Sequence, residues 1–112
     1  MGDSAFGFSG MELETAARYR LPIKVVVINN NGIVMGTDEI EEDGTPKDIS
    51  PLHLSPWAKY EQVCMAFGGK GRAVNKHEDL RNAMREMLAD DKNMWVINCA
   101  IGTTAGKKAQ SF

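Results

Sequence analysis

The run Ile23-Lys24-Val25-Val26-Val27-Ile28 decides the fold class of this 112-residue chain. All of its residues except the lysine are β-branched, and it shows almost no polar alternation. This pattern is typical of a strand that is covered on both faces in a parallel sheet. The run is followed directly by Asn29-Asn30-Asn31-Gly32, residue types that favour turns and left-handed backbone. We therefore expect a buried parallel strand that ends at this turn.

A helix is predicted just before the strand. Leu21-Pro22 disfavours helical backbone, so the helix should end near Tyr19 or Arg20. Ser9 is a good N-cap, and Glu12 follows it at the spacing of a capping box. The residues expected on its buried face are Leu13, Ala16 and Ala17.

The segment from Gly32 to Pro56 has no sustained periodicity and is predicted to be a long loop. Such a loop in a compact domain is usually functional or mobile. Its acidic patch lacks the alternating ligand spacing of a calcium-binding hand, so we interpret it as solvated. The patch consists of Asp38, Glu39, Glu41, Glu42 and Asp43.

Helices and strands alternate through the rest of the chain. The predicted elements are a helix from Ala58 to Phe67 closed by Gly68-Gly69, a strand from Gly71 to Val74, a helix from His77 to Ala89, a buried strand from Met94 to Ile101, and a polar tail from Gly102 to Phe112. The apolar stripe of the helix from His77 to Ala89 consists of Leu80, Ala83, Met84, Met87 and Leu88. This alternation predicts an α/β fold, a parallel sheet with flanking helices and right-handed crossovers.

Composition excludes several classes of protein. With 13 basic and 15 acidic residues the net charge is −2, which gives no electrostatic footprint for nucleic acid. No apolar run approaches the roughly 20 residues that span a bilayer. Cys64 and Cys99 lie far apart in the sequence with no zinc spacing around them, which suggests reduced thiols. We expect an intracellular protein, cytoplasmic or peroxisomal, with no membrane or nucleic-acid partner.

Several segments resemble known functional motifs but do not match them fully. Gly68-Gly69-Lys70-Gly71 resembles part of a phosphate loop but lacks its earlier glycine and its final Ser or Thr. The α/β pattern would also allow a dinucleotide-binding oxidoreductase. No G-x-G-x-x-G occurs, however, so the sequence lacks the glycine motif of that class. His53 and His77 are isolated and are interpreted as surface residues.

One pair of residues does point to chemistry. Asp3 directly precedes a predicted helix, and Asn30 follows where the next predicted strand ends. In a right-handed β-α-β unit these positions are the carboxyl ends of neighbouring strands, about 5 Å apart, at the edge where open α/β sheets bind ligands. A carboxylate, an amide oxygen and a backbone carbonyl in the Asn31-Gly32 turn suit Mg²⁺. Two ordinary turns are the alternative explanation.

The sequence around this pair resembles a known motif. Gly2-Asp3-Ser4, followed at the right distance by Asn29-Asn30, is similar to the thiamine diphosphate motif of the acetolactate synthase and pyruvate decarboxylase superfamily. One branch, oxalyl-CoA decarboxylase and 2-hydroxyacyl-CoA lyase, is suggested by residues 2–12, Arg18-Tyr19, Leu21-Pro22, residues 30–33 and residues 66–71. Tyr60-Glu61-Gln62-Val63 and Lys108-Ala109-Gln110 are more similar to the lyase.

The resemblance implies a site for thiamine diphosphate and Mg²⁺. It places the metal-binding aspartate at Asp3, the amide ligand at Asn30 and a backbone carbonyl ligand at Gly32. The positions implied to contact the cofactor are Gly2, Ser4, Ala5, Asn30, Gly32 and Ile33. No catalytic residue is expected on this chain, since the cofactor-activating glutamate of the family lies in a pyrimidine-binding domain.

The resemblance also implies an activity. A lyase of this branch would cleave a 2-hydroxyacyl-CoA to formyl-CoA and an aldehyde, whereas a decarboxylase would convert oxalyl-CoA to formyl-CoA and carbon dioxide. Val34 departs from the pattern, because relatives commonly carry Tyr there. A stand-alone, non-catalytic binding module is the alternative from a different functional class.

Residues 1–112 are expected to form an incomplete C-terminal cofactor-binding domain, without its upstream strands and its tail. The family's partners would then be the pyrimidine-binding domain of a partner subunit, in a homodimer or homotetramer, and an acyl-CoA substrate bound through other domains. The 112 residues alone are expected to be inactive.

Overall fold

Three parallel strands form the sheet in the computed structural model, which describes residues 1–34, 36, 40–45, 47 and 50–103. Strands β1 (Lys24–Asn29), β2 (Lys70–Val74) and β3 (Trp95–Ala100) lie in the order β1-β3-β2. Both pairs are parallel, so the predicted α/β class is confirmed.

Helices cover both faces of the sheet. On one face, apolar residues of α1 (Asp3–Ser9), α2 (Leu13–Arg18) and α3 (Tyr60–Ala66) pack against Val27 and Val96. On the other face, α4 (His77–Ala89) packs its Ala83 and Met87 against Trp95 and Ile97. Strand β3 is buried from Trp95 to Cys99 because it lies between two strands and two helical layers.

Strand β1 is less covered than its sequence predicts. It lies at one edge of the three-strand sheet, and Val25 and Val26 are half-buried while Ile28 is 42% exposed. The prediction of a strand covered on both faces is therefore wrong for β1 in this chain and right for β3. A continuous β-branched run identifies a strand but does not tell its position in the sheet.

The first helical segment begins earlier than predicted. Helix α1 begins at Asp3, a 3₁₀ turn follows over Gly10–Glu12, and α2 ends at Arg18. Ser9 makes no capping hydrogen bond with its side chain, so the predicted capping box is wrong. The chain turns tightly here because the Phe6 ring lies against Gly10, where an added Cβ would come within 2.8 Å of the ring.

The later elements match their predictions within one or two residues, and α4 has the bounds that were predicted. Gly68, with φ of 89°, ends α3 by donating its N–H to the Met65 carbonyl, as glycine commonly does at the end of a helix. Leu88 is a correction, since it is 68% exposed and does not belong to the buried stripe of α4.

Some predictions fall outside the described residues. These are Asp38 and Glu39 of the acidic patch, and residues 104–112 of the tail with Lys108-Ala109-Gln110. The described part of the patch, Glu41 to Asp43, is exposed. Within the described ranges no helix has the length and apolar character needed to cross a membrane.

Candidate functional site at the carboxyl edge of the sheet

The amino-terminal residues run alongside the end of β1. The Met1 ammonium donates to the Val26 carbonyl at 2.9 Å, and the Ile28 N–H donates to the Met1 carbonyl at 2.7 Å. Gly2, extended at φ −74° and ψ 163°, forms a parallel bridge with Ile28. The next residue, Asp3, therefore begins α1 beside the carboxyl end of β1, as a β-α-β arrangement requires.

Asp3 is the most deeply buried charged residue among those described, with 1% of its surface exposed. Its Oδ1 accepts from the Ser4 N–H at 3.0 Å, and its Oδ2 accepts from the Gly32 N–H at 3.0 Å. The structure thus brings together two of the predicted metal-site residues, Asp3 and Gly32, through a direct hydrogen bond.

The turn after β1 has the left-handed backbone that its asparagines favour. Asn31 has φ of 59°, a conformation that asparagine tolerates better than most residues. The Oδ1 atom of Asn29 accepts from the Asn31 N–H at 3.0 Å, which closes the turn. This geometry directs the N–H of Gly32 to Asp3.

The remaining predicted residues lie around this contact. Asn30 is half-buried, and its Nδ2 donates to the Val34 carbonyl at 3.5 Å. Ile33 is about half exposed, and its N–H donates to the Leu52 carbonyl at 2.8 Å. Gly2 and Ala5 are exposed, and Ser4 is half-buried.

The long loop returns to the site. Gly32 forms an antiparallel bridge with His53, in which the Leu54 N–H donates to the Asn31 carbonyl at 2.8 Å. Gly36 lies against Asn30, and a Cβ there would come within 1.8 Å of the Asn30 carbonyl. His53 is half-buried rather than on the surface as predicted. The loop is therefore docked on the turn at its two ends.

Three buried residues near the site were given no site role from the sequence, although two of them lie in segments that carry the family resemblance. Asn29, Asn98 and Glu61 are each at most 7% exposed and are linked by side-chain hydrogen bonds. Nothing in local periodicity signals such a contact, because the three residues come from β1, β3 and α3. Polar residues at buried positions of a strand, such as Asn98 in Trp95–Ala100, were the one usable signal.

Tyr60 borders the same edge. Its ring packs edge-on against Phe6 with 5.6 Å between ring centroids. Burial raises the pKa of the Tyr60 hydroxyl, and the negative charge of Asp3 raises it further. Tyr60 therefore stays protonated and neutral, and it adds no second negative charge beside Asp3.

The environment of Asp3 fits a bound cation. In the part of the chain that the structure describes, no ion pair reaches this carboxylate, and its donors are two neutral backbone N–H groups. A buried charge without an opposite charge is costly, so a divalent cation at Asp3 would offset that cost. Among the described residues no three His, Cys, Asp or Glu side chains lie together so that they could hold a metal ion, so a metal site at Asp3 needs amide and carbonyl oxygens as further ligands.

Comparisons with known proteins agree on one family. The family described as "Thiamine pyrophosphate enzyme, C-terminal TPP binding domain" matches residues 1–99. The chain is 49% identical to human 2-hydroxyacyl-CoA lyase 1 over 99% of its length, and 40% identical to oxalyl-CoA decarboxylase of Escherichia coli strain K12 over 96%. It covers 20% and 19% of these two relatives, respectively, so it spans about a fifth of their length.

Solved structures support the fold. A thiamine diphosphate-dependent 4-hydroxybenzoylformate decarboxylase from Rhodococcus jostii RHA1 superposes with a TM-score of 0.64 at 22% identity, over 92% of this chain and 19% of that one. A protein from Mycobacterium smegmatis, described as thiamin diphosphate-dependent, gives a TM-score of 0.66 at 22% identity, over 90% of this chain and 17% of that one.

Proposed function

Because the chain belongs to the thiamine pyrophosphate enzymes, through their C-terminal TPP binding domain, we propose that its Asp3 edge binds the diphosphate of thiamine diphosphate through Mg²⁺. The observation that carries this proposal is the buried Asp3 carboxylate, which faces the Gly32 turn and has no cationic partner among the described residues. On this proposal residues 1–112 act as a diphosphate-binding domain.

Each predicted residue has a role in the proposed site. The carboxylate of Asp3, the side-chain amide oxygen of Asn30 and the backbone carbonyl of Gly32 hold the metal. The bridge to the loop uses the carbonyl of Asn31 and the N–H of Ile33, so it leaves the Gly32 carbonyl available as a ligand. Oxygen ligands of this kind suit Mg²⁺, which usually keeps phosphate oxygens in its coordination shell.

The diphosphate would lie against the start of α1. Gly2, Ser4, Ala5 and Ile33 are the proposed contacts. The N–H groups of Ser4 and Ile33 already donate to Asp3 and Leu52, so these two residues would use other atoms. The N–H of Ala5, in the first turn of α1, has no partner within the helix and suits an anion.

The proposed reaction is cleavage of a 2-hydroxyacyl-CoA to formyl-CoA and a shortened aldehyde. The bound cofactor supplies the electron sink for breaking the carbon–carbon bond. The 49% identity to a 2-hydroxyacyl-CoA lyase supports this substrate class, and 40% identity to an oxalyl-CoA decarboxylase makes oxalyl-CoA the alternative. Val34, 70% exposed beside Asn30, replaces the Tyr expected from the family pattern.

The rest of the machinery lies outside these 112 residues in this proposal. A partner subunit's pyrimidine-binding domain activates the cofactor within a homodimer or homotetramer, and other domains bind the acyl-CoA. An intracellular site, cytoplasmic or peroxisomal, is consistent with Cys64 and Cys99, which are both free and buried.

Calorimetric titration with thiamine diphosphate and Mg²⁺ tests the site. It uses the intact protein, by which we mean the longer chain that carries the other domains of this proposal. We expect Asp3→Ala and Asn30→Ala to weaken cofactor binding by about 100-fold or more, since even residues behind the ligands are worth about 10–100-fold. Glu78→Gln, on the exposed start of α4, is the control for loss of one acidic group. Unchanged affinity in both site variants would refute the assignment.

Turnover distinguishes the substrates. The intact protein should release formyl-CoA from a 2-hydroxyacyl-CoA faster than from oxalyl-CoA, while residues 1–112 alone release none. Preference for oxalyl-CoA would favour the decarboxylase. Turnover by the 112 residues alone would contradict the proposed division of the machinery.

A further inference from the structure

A line of buried side-chain hydrogen bonds runs from α3 to the turn after β1. It begins at Glu61, whose Oε2 accepts from Asn98 Nδ2 at 2.9 Å. Asn98 Nδ2 also donates to the Ala58 carbonyl at 3.4 Å, and Asn98 Oδ1 accepts from Asn29 Nδ2 at 3.1 Å. Helix α3, β3 and β1 are thereby joined through side chains of residues that are at most 7% exposed.

The line continues into the proposed metal site. Asn29 Oδ1 accepts from the Asn31 N–H at 3.0 Å and so stabilises the left-handed conformation of Asn31. The following residue, Gly32, donates its N–H to Asp3 Oδ2 at 3.0 Å. The position of the Gly32 backbone thus depends on the orientation of the Asn29 amide.

The two ends of the line set the orientation of both amides. A backbone N–H, here that of Asn31, only donates, and the Glu61 carboxylate only accepts. Between them, one arrangement alone gives every contact a donor and an acceptor: Asn98 turns its Nδ2 to Glu61, and Asn29 turns its Oδ1 to Asn31. The Glu61 carboxylate, together with the Ala58 carbonyl, therefore stabilises the orientation in which Asn29 Oδ1 faces the turn.

Packing holds Glu61 where it can do this. Gly71 of β2 lies so close to α3 that a Cβ there would come within 2.7 Å of the Glu61 carbonyl and 3.0 Å of its Cβ. Glu61 has no ion pair in the described ranges. A buried carboxylate without a cation is costly to keep, which is unexpected if Glu61 only fills space.

We propose that Glu61 and Asn98 are positioning residues for the metal edge, acting through Asn29 to hold the Asn31-Gly32 turn against Asp3. This inference rests on the proposed function. Neither residue contacts the metal or the cofactor in this proposal; they limit the turn to the one conformation that presents the Gly32 backbone.

The test compares Glu61→Gln and Asn98→Ala with Glu78→Gln in the intact protein. Glutamine keeps the size of Glu61 but is neutral, so it accepts a weaker hydrogen bond from Asn98 Nδ2 and holds the orientation of the two amides less firmly. We expect Glu61→Gln to raise the Mg²⁺ Kd, measured with thiamine diphosphate present, by about 2- to 10-fold, the worth of one hydrogen bond. Asn98→Ala, which breaks the line, should raise it more.

A second readout separates positioning from general destabilisation. In metal-free protein, hydrogen–deuterium exchange of the peptide containing Asn31 and Gly32 should be faster in both variants, while peptides of α4 exchange at the rate of the control. A change in Kd without faster exchange at the turn, or faster exchange without a change in Kd, overturns the proposal. If one variant fails to fold, the other decides.

The outcome for Asp3 keeps the two proposals apart. If Asp3→Asn weakens Mg²⁺ binding and Glu61→Gln behaves as the control does, the positioning role is wrong and the proposed function stands. If Asp3→Asn leaves Mg²⁺ binding unchanged, both are wrong.

Discussion

Two carboxylates at opposite edges of the sheet have different environments. At the amino end, Asp90 accepts from the Trp95 indole N–H at 2.9 Å, and its Oδ2 lies 3.1 Å from Lys70 Nζ. Asn93 also donates to it, from both its side chain and its backbone. At the carboxyl end, Asp3 is more deeply buried, and among the described residues its donors are the N–H groups of Ser4 and Gly32.

The contrast distinguishes a structural carboxylate from one that suits a ligand. The hydrogen bonds from Trp95 and Asn93 hold the pKa of Asp90 far below its ordinary value. Positive charge also lies over the Trp95 ring, with Lys70 Nζ 5.5 Å and the Arg72 guanidinium carbon 5.4 Å from its centroid. Such cations are attracted to the face of the ring. The described residues supply Asp90 with both donors and a cation, whereas they supply Asp3 with neutral donors alone, which is the difference that the proposed metal site rests on.

The largest expected effect is on metal binding by Asp3→Asn. This isosteric change removes the proposed anionic ligand, so we expect the affinity for Mg²⁺ and thiamine diphosphate to fall by about 100-fold or more. Metal-free protein should keep a Tm within a few degrees of wild type, because the removal of a buried, unpaired charge offsets the loss of one of the two hydrogen bonds that Asp3 accepts. Calorimetry and a thermal melt without metal measure the two quantities. A large drop in Tm with unchanged affinity would make Asp3 a structural residue like Asp90.

Asp90→Asn should behave in the opposite way. It removes an ionised acceptor whose hydrogen-bond donors and cation belong to this chain. We therefore expect the Tm to fall by several degrees and the Mg²⁺ affinity to stay the same. Glu78→Gln serves as the control for charge. Loss of cofactor affinity in Asp90→Asn with the Tm preserved would erase the distinction between the two ends.

Acid should destabilise the Asp90 end. Because the pKa of folded Asp90 is lowered, the unfolded chain binds more protons as the pH falls through the ordinary Asp pKa of about 3.9. The stabilisation is therefore present above that pH and is lost progressively below it. Urea unfolding at pH 5 and pH 3 should show a larger loss for wild type than for Asp90→Asn. Equal losses would mean that Asp90 is not held in its ionised form by these contacts.

The smallest effect is expected for Lys70→Gln. The Lys70 side chain is 49% exposed, and exposed ion pairs contribute about 0–1 kcal/mol. We expect a Tm only slightly below wild type and well above that of Asp90→Asn, as measured by thermal melts in parallel. A drop as large as that of Asp90→Asn would show that the ion pair, rather than the hydrogen bonds from Trp95 and Asn93, holds this end together.

The sequence predicted those features that depend on neighbouring residues. The bounds of α4 follow from its apolar stripe, and the approach of Asp3 to the end of β1 follows from β-α-β geometry. The edge position of β1 was not predictable, since strand order depends on which strands pair. The line of hydrogen bonds through Glu61, Asn98 and Asn29 was not predicted for a similar reason. Its hydrogen-bonded pairs are separated by 37 and 69 positions in the sequence and are brought together by the fold.

The most direct test of the Asp3 site is the anomalous scattering of Mn²⁺, a substitute for Mg²⁺, in crystals of the intact protein grown with thiamine diphosphate. We predict one peak at this edge, about 2.0–2.2 Å from oxygen atoms of Asp3, Asn30 and Gly32, as octahedral coordination of a small divalent cation requires. A Mn²⁺ peak bound to the cofactor's diphosphate but away from Asp3 would contradict the assignment of Asp3 as a metal ligand.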